Sequence, residues 1–290
     1  MKFTTELITL DTDDGIALSG ALWTPSHSDA KTAVAMFSGT GAEYYQPLFI
    51  WLGEQLAAAG YRAISMNRRD HGQYFGFHPL HDSAMDQRYA IDLLCGRGAS
   101  QVLLAGHSYG TVTVPYYVAE TNDQRVAGLI LLAALGDMRR GSMLILGGQE
   151  RYDTVIAEAE EAVAAGRGDE TFLIPPMIAG YPPMVHSYNV FLDKRGPNAQ
   201  VVPIDQIQKV GDRPLFAIRD PADPFPATLP PAQAMLEAAN PNLAYQLLDD
   251  KPTSQKAPNA HYFDGREDEV FRHLMEWMQR HDFVTRTWLK

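Results

Sequence analysis

The chain has 290 residues, of which 46% are hydrophobic, enough for one large α/β domain that buries about three quarters of its unfolded surface. A formal net charge of −11 and a pI near 5.2 exclude the basic surface that a phosphate backbone demands, so nucleic acid is not an expected partner. The single cysteine, Cys95, excludes an intrachain disulfide framework and a Cys-rich zinc site, and is expected to pack in a helix.

The opening stretch, Met1 to Leu7, lacks the apolar core of a signal peptide, and no later run approaches the length of a membrane span. A soluble cytoplasmic protein with no membrane partner is therefore expected. Phe3 to Leu10 and Ile16 to Thr24 predict two strands joined by a turn at Asp13-Asp14-Gly15, an antiparallel opening. Ala33 to Phe37 predicts a strand, and Leu48, Leu52, Leu56 and Ala59 recur at helical spacing before Gly60 stops the run. Tyr61 to Met66 predicts another strand and Met85 to Cys95 another helix. Ala99 to Ala105 is a short apolar run suited to a buried parallel strand, followed by helix-compatible spacing from Thr111 to Glu120. Val126 to Ala134 and Pro214 to Ile218 predict strands, Pro231 to Ala239 a helix, Leu243 to Leu248 a strand and Asp268 to Arg280 a closing helix.

Such alternation implies an α/β fold with a mostly parallel central sheet flanked by helices. The rhythm breaks between Asp137 and about Gly211, where a charged, alanine-rich helix (Tyr152 to Ala165) precedes the proline-punctuated apolar run from Phe172 to Met184. This segment is read as a helical cap insertion, 137–211, dividing a core made of 1–136 and 212–290. The alternative is that it continues the helical layer. Its Pro, Met, Ile and Tyr residues suit an apolar pocket, with Met177, Tyr181 and His186 as candidate lining residues.

The most specific motif is Gly106-His107-Ser108-Tyr109-Gly110, a G-x-S-x-G sequence between a predicted strand and a predicted helix. A serine there sits on a sharp turn that needs small residues two positions before and after it, which Gly106 and Gly110 supply. The turn lifts the Ser108 hydroxyl clear of the sheet and leaves the Tyr109 amide at a helix start, aimed at a developing oxyanion. A serine nucleophile needs a base, and the base an orienting carboxylate. Downstream, Asp220 and Asp223 fall in a loop at the C-terminal end of a predicted strand, and His261 in a long loop before the last helix.

With these residues in place, the chain resembles the α/β-hydrolase fold superfamily over nearly its whole length apart from the cap. In that family the acid commonly follows the strand after the cap in a glycine-x-x-Asp-proline context. Here Asp220 stands in the glycine's place and Asp223 in the acid's, so the resemblance implies Asp223 as acid and His261 as base. Many members carry His-Gly after the third strand, where this chain has Ser38-Gly39-Thr40-Gly41. The Thr40 amide is the natural second oxyanion donor, since the role needs an N–H rather than a particular side chain. Arg69-Asp70-His71-Gly72 matches the family's arginine-x-histidine-glycine turn, with His71 structural.

Competitors remain for each role. Asp137, after the strand ending near Ala134, occupies a position that some members use for their acid, and Asp220 is a second alternative or a turn residue capping Ala222 or Asp223 amides. His107 is expected to face the packed side of the turn. His78 and His81 form His-x-x-His without the glutamate or helical framework of a zinc site, so no metal and no cofactor is expected. His273 and His281 read as ordinary helix residues. The expected function is a serine hydrolase acting on a carboxylic ester, lactone or related acyl bond of a medium-sized apolar small molecule. An acyltransferase or thioesterase with the same triad, or a non-catalytic ligand receptor, are the alternatives.

Overall fold

The computed structural model describes residues 2–27, 30–174, 183–225, 236–249 and 259–284. The antiparallel opening forms as expected: β1 (Phe3–Asp11) pairs with β2 (Ala17–Pro25), and Thr12 closes the turn by accepting the Ile16 amide on its hydroxyl at 2.8 Å. From there strands and helices alternate. β3 (Thr32–Phe37), α1 (Pro47–Ala58) and β4 (Arg62–Met66) are followed by a short 3-10 helix, Gly72–Gly76, and by α2 (Leu80–Met85) and α3 (Gln87–Gly96). β5 (Gln101–His107), α4 (Gly110–Thr121) and β6 (Val126–Leu132) complete the first half. An excursion follows, made of α5 (Met138–Ile145), α6 (Gln149–Ala164), the hairpin β7 (Thr171–Ile174) and β8 (Met184–Ser187), α7 (Tyr188–Arg195) and α8 (Pro203–Ile207). β9 (Leu215–Arg219), β10 (Leu243–Leu247) and α9 (Glu267–Arg280) close the chain.

Among the described residues the main sheet has eight strands in the order β1-β2-β4-β3-β5-β6-β9-β10, parallel from β4 onward. Its central strands are mostly apolar and buried because both faces are covered. Odd and even residues serve different cores: Ala33, Ala35 and Phe37 of β3 join α3, α4 and α8 on one face, whereas Val34 and Met36 join α1 and α9 on the other. Leu104 against Leu103 in β5, and Leu131 against Ile130 in β6, repeat the division. α9 buries Val270, Leu274 and Trp277 against the sheet, a stabilisation of about 1.5–3 kcal/mol for each large side chain.

Several expectations change in detail. The helix read from Met85 to Cys95 corresponds to α3, and a separate short helix, α2, precedes it; between the two stands Asp86, whose buried carboxylate accepts the Arg69 amide at 2.7 Å and the Arg69 guanidinium at 2.8 Å. The C-terminal part of the segment expected as a cap belongs to the helical layer, because Val202, Ile204, Ile207 and Val210 pack into the main core beside α4. The helical excursion also contains the β7–β8 hairpin, which the proline-rich sequence did not announce. α5, α6, α7 and the hairpin share their own small core around Tyr152, Ile156, Ile174 and Phe191. The helix read from Pro231 to Ala239 falls mostly outside the described residues; 236–239 are helical. Among the described residues no helix is long and apolar enough to cross a membrane.

Candidate active site

Ser108 lies between the last residue of β5 and the first turn of α4, with φ of +54°, a left-handed conformation in a non-glycine residue. The expected need for glycine on either side is met in the packing. A Cβ at Gly106 would lie 2.1 Å from the Gly110 carbonyl oxygen, and one at Gly110 would lie 2.3 Å from the Phe37 carbonyl oxygen. The strain is held by hydrogen bonds: the Ser108 amide donates to Leu132 O at 3.0 Å, and the Thr111 hydroxyl donates to Ser108 O at 2.6 Å. Gly39 lies over the elbow, where an added Cβ would be 2.8 Å from Ser108 Cβ, so the loop after β3 passes directly above the serine. Thr40, next along this loop, and Tyr109, next after the serine, have amides that meet no backbone carbonyl among the described residues. The Ser38 hydroxyl is committed elsewhere, donating to Ala42 O at 3.1 Å.

Asp223 and His261, 38 positions apart in sequence, are joined by a 2.9 Å hydrogen bond from His261 Nδ1 to Asp223 Oδ2. Both side chains are buried. A carboxylate only accepts, so Nδ1 carries the hydrogen and Nε2 keeps a lone pair able to take a proton. Asp223 is fixed in turn by the Phe225 amide, which donates to Oδ1 at 2.9 Å, and the Phe225 ring lies 4.1 Å from the imidazole centre. His107 faces the packed side of the elbow, as expected, and its Nε2 lies 2.7 Å from the His261 carbonyl oxygen. That carbonyl requires a hydrogen on His107 Nε2. Burial, followed by the neighbouring His261, pushes His107 down to about 3, so its ring is neutral.

The alternative acids are otherwise engaged. Asp220 accepts the Ala222 amide at 2.8 Å, the turn role anticipated for it, and pairs with buried Arg266 at 3.0 Å. Asp137 caps α5 by accepting the Arg139 amide at 2.9 Å and does not pair with His261. His71 is structural in the sense expected, with Nδ1 3.0 Å from Glu43. His81 pairs with the Tyr116 hydroxyl at 3.3 Å, and His273 and His281 lie on or beside the outer helix α9.

A cavity of about 870 Å3 opens beside this cluster, lined by Thr40 from the loop after β3, by Tyr74, Phe75 and Phe77 around the 3-10 helix, and by Phe225 and Tyr262 flanking the imidazole. Its outer wall is the β8 strand. A Cβ at Gly76 would lie 1.9 Å from the Val185 carbonyl oxygen, so hairpin and 3-10 helix meet backbone to backbone. Of the three residues expected to line a pocket, Met177 and Tyr181 lie outside the described residues. His186 belongs to the cavity boundary, but its ring is wholly covered, 5.7 Å from Phe75 and 5.9 Å from Phe191, with both nitrogens unpaired among the described residues. Burial, reinforced by Arg195 and Lys194, pushes it well below the ordinary histidine range and keeps it neutral. The sequence reading missed the aromatic wall of Tyr74, Phe75 and Phe77. Its signal was available, since three aromatic residues within four positions after a His-Gly turn cannot all enter the core.

The model for the alpha/beta hydrolase family matches residues 34–285. Among solved structures, the chain is similar to Est1E from Butyrivibrio proteoclasticus with ferulic acid bound, at 15% identity and a TM-score of 0.69, over 94% of this chain and 98% of that one. It is also similar to the alpha/beta hydrolase GrgF from Penicillium sp. sh18, at 14% identity and a TM-score of 0.67, over 96% and 99%. A highly thermostable carboxyl esterase from Bacillus coagulans aligns at 12% identity and a TM-score of 0.63, over 96% and 100%. No curated protein matches the sequence significantly. Likeness at these identities speaks for the fold. With a parallel sheet in this strand order and a family match covering all but the ends of the sequence, the chain belongs to the alpha/beta hydrolase family.

Proposed function

We propose that the protein is a serine hydrolase that cleaves a carboxylic ester, lactone or related acyl bond of a medium-sized apolar substrate through an acyl-enzyme. The observation that carries this reading is the 2.9 Å bond between Asp223 and His261, made beside a cavity that also touches the loop above Ser108. In the mechanism, Ser108 Oγ attacks the carbonyl carbon while its proton passes to His261 Nε2. Asp223 holds the ring and favours its positive charge. The amides of Thr40 and Tyr109 receive the oxyanion. Collapse expels the alcohol with the proton from His261, and a water deprotonated by the same nitrogen then releases the acid and restores Ser108.

Of the segment expected as a cap, 137–211, the described residues before α8, 137–174 and 183–197, are read as the cap over this site, and the aromatic lining favours flat or extended apolar acyl groups. About 870 Å3 lies toward the upper end of ordinary ligand sites, roughly 300–1,000 Å3, and leaves room for an aromatic acyl group of the kind that Est1E binds as ferulic acid. A panel of aliphatic and aromatic esters, lactones and amides, assayed with wild type and Ser108→Ala, tests the assignment. Wild type should be labelled at Ser108 by a fluorophosphonate, and the variant should lose on the order of a million-fold in kcat. Full activity in Ser108→Ala sinks the proposal. Ester products formed with an added alcohol acceptor favour acyl transfer, and tight binding without labelling favours a receptor.

A further inference from the structure

Lys194, on α7, is buried with a side chain only 1% exposed, yet it has no part in the acyl chemistry above. Its ammonium donates to Asp70 Oδ2 at 2.7 Å and to the Phe75 carbonyl at 2.8 Å, and stands 3.9 Å from the centre of the Phe75 ring. The other Asp70 oxygen accepts from Arg68 Nε at 3.0 Å, and Arg68 Nη1 donates to the Ser38 carbonyl at 2.9 Å, two residues before Thr40. Both cations also face the Tyr109 ring, at 5.3 and 5.8 Å from its centre. A continuous line of charge-assisted bonds thus joins the excursion to the Phe75 wall and to Ser38 in the loop that leads to Thr40, with both cations against the face of the Tyr109 ring.

Such a buried set is not explained by stability, because apolar side chains of similar volume would avoid the desolvation of three charges. What it provides is fixed geometry. We propose that Lys194 is a positioning residue for acyl transfer, holding the Phe75 wall and the Ser38-to-Thr40 loop in register with the elbow; this rests on the reading of Ser108 as nucleophile. Without the ammonium, the Phe75 carbonyl and Asp70 Oδ2 lose this donor, and the remaining described contacts of α7 with the Phe75 wall are ring contacts, Arg195 at 5.8 Å from the Phe75 centre and Phe191 through His186.

The arrangement is sensitive to alkali. Burial, opposed by Asp70, brings Lys194 down to about 8. Around it stand Asp70 and Arg68 from the turn after β4, Asp193 and Arg195 on α7, His186 on β8, His78 before α2 and Tyr109 at the elbow. His78 and His186 are lowered from 6.5 by burial, and Tyr109 is raised, which leaves Lys194 as the member of this group that titrates just above neutrality.

The test compares wild type, Lys194→Met and Asp70→Asn, with rates counted per titrated serine from neutral to alkaline pH and with amide hydrogen exchange. Wild type should lose kcat on an alkaline limb near pH 8, Lys194→Met should lose about 10- to 100-fold in kcat and show no such limb, and Asp70→Asn should move the limb to lower pH. An absent limb in wild type, an unmoved limb in Asp70→Asn, or unchanged kcat in folded Lys194→Met overturns the proposal. If Lys194→Met does not fold, the wild-type limb and its shift in Asp70→Asn decide. If wild type neither turns over esters nor labels at Ser108, the serine hydrolase reading fails by itself. Exchange then decides for Lys194: selective acceleration at 38–42 and 72–77 in Lys194→Met or Asp70→Asn supports it, and uniform or unchanged exchange overturns it.

Discussion

His107 donates its Nε2 hydrogen to the backbone carbonyl of His261 across 2.7 Å, so the residue beside the elbow serine grips the main chain of the proposed base. Alternation along the end of β5 turns His107 into the core as Ser108 turns out, which refers the proposed nucleophile and the proposed base to the same strand. In His107→Leu the buried carbonyl is left unpaired. We expect a loss of about 1–3 kcal/mol in unfolding free energy. A fall of at least about tenfold in kcat should accompany it. Denaturant unfolding and kinetics on a common ester measure both; an unchanged kcat would show that the contact does not place His261.

The three candidate carboxylates separate by the kind of damage that their loss causes. Asp223→Asn should keep the fold and lower kcat by about 10,000-fold, because the imidazole loses its orienting charge. Asp220→Asn removes one of the two carboxylates paired with the buried Arg266 guanidinium, leaving Glu269 at 2.7 Å, and should cost about 1–3 kcal/mol of stability. Asp137→Ala removes a helix cap and should cost about 1 kcal/mol with little change in kcat. Paired melting and rate measurements distinguish the three patterns, and a larger kcat loss in Asp220→Asn than in Asp223→Asn would reverse the assignment.

Acid stability should reflect His107. Its ring is held at about 3 in the folded chain but takes a proton near 6.5 when unfolded, so the unfolded state binds more protons between those values. Stability is therefore complete above pH 6.5 and falls with acid by about 1.4 kcal/mol per pH unit across that window for this one group. Asp70 acts further down: burial alone would raise it, but Arg68 and Lys194 outweigh burial and hold it at about 2, so its contribution is lost as pH falls from 3.8 through that value. Unfolding free energies measured against pH should show a shallower acid slope in His107→Leu than in wild type.

His186 presents the reverse case, a buried ring with two unpaired nitrogens. His186→Leu, close in volume, should raise the melting temperature by relieving about 1–3 kcal/mol of desolvation, less the loss of two edge contacts to Phe75 and Phe191. Because the ring is covered, KM for a fitting ester should stay near the wild-type value. A large rise in KM would mean that the imidazole reaches the substrate directly.

The elbow and the sheet could be read from the chain because their causes are local: glycine spacing, apolar runs and strand-to-helix rhythm all act within a few residues. From composition alone Asp220 and Asp223 are near equals, and it was the resemblance that favoured Asp223; in space the two are separated by their partners, the His261 imidazole for Asp223 and Arg266 for Asp220. The break at Asp86 depends on Arg69, 17 residues earlier, and the bond between Lys194 and Asp70 spans 124 residues. Pairing at that separation leaves no periodic trace. The β7–β8 hairpin escaped for a related reason, since a proline-rich apolar run is equally compatible with an irregular pocket lining until its flanks are seen to pair.

The contact at Gly76 bears on how this chain can change its preference. Where a cavity wall is built of side chains, single substitutions enlarge or shrink it stepwise. Here the Val185 carbonyl rests against the Gly76 α-carbon, and no residue other than glycine fits without displacing the strand. Point changes at Tyr74, Phe77 or Phe225 can recontour the edges, whereas the depth follows the register of the hairpin. Resizing this wall would then require moving β8 as a whole, in discrete jumps rather than gradual drift.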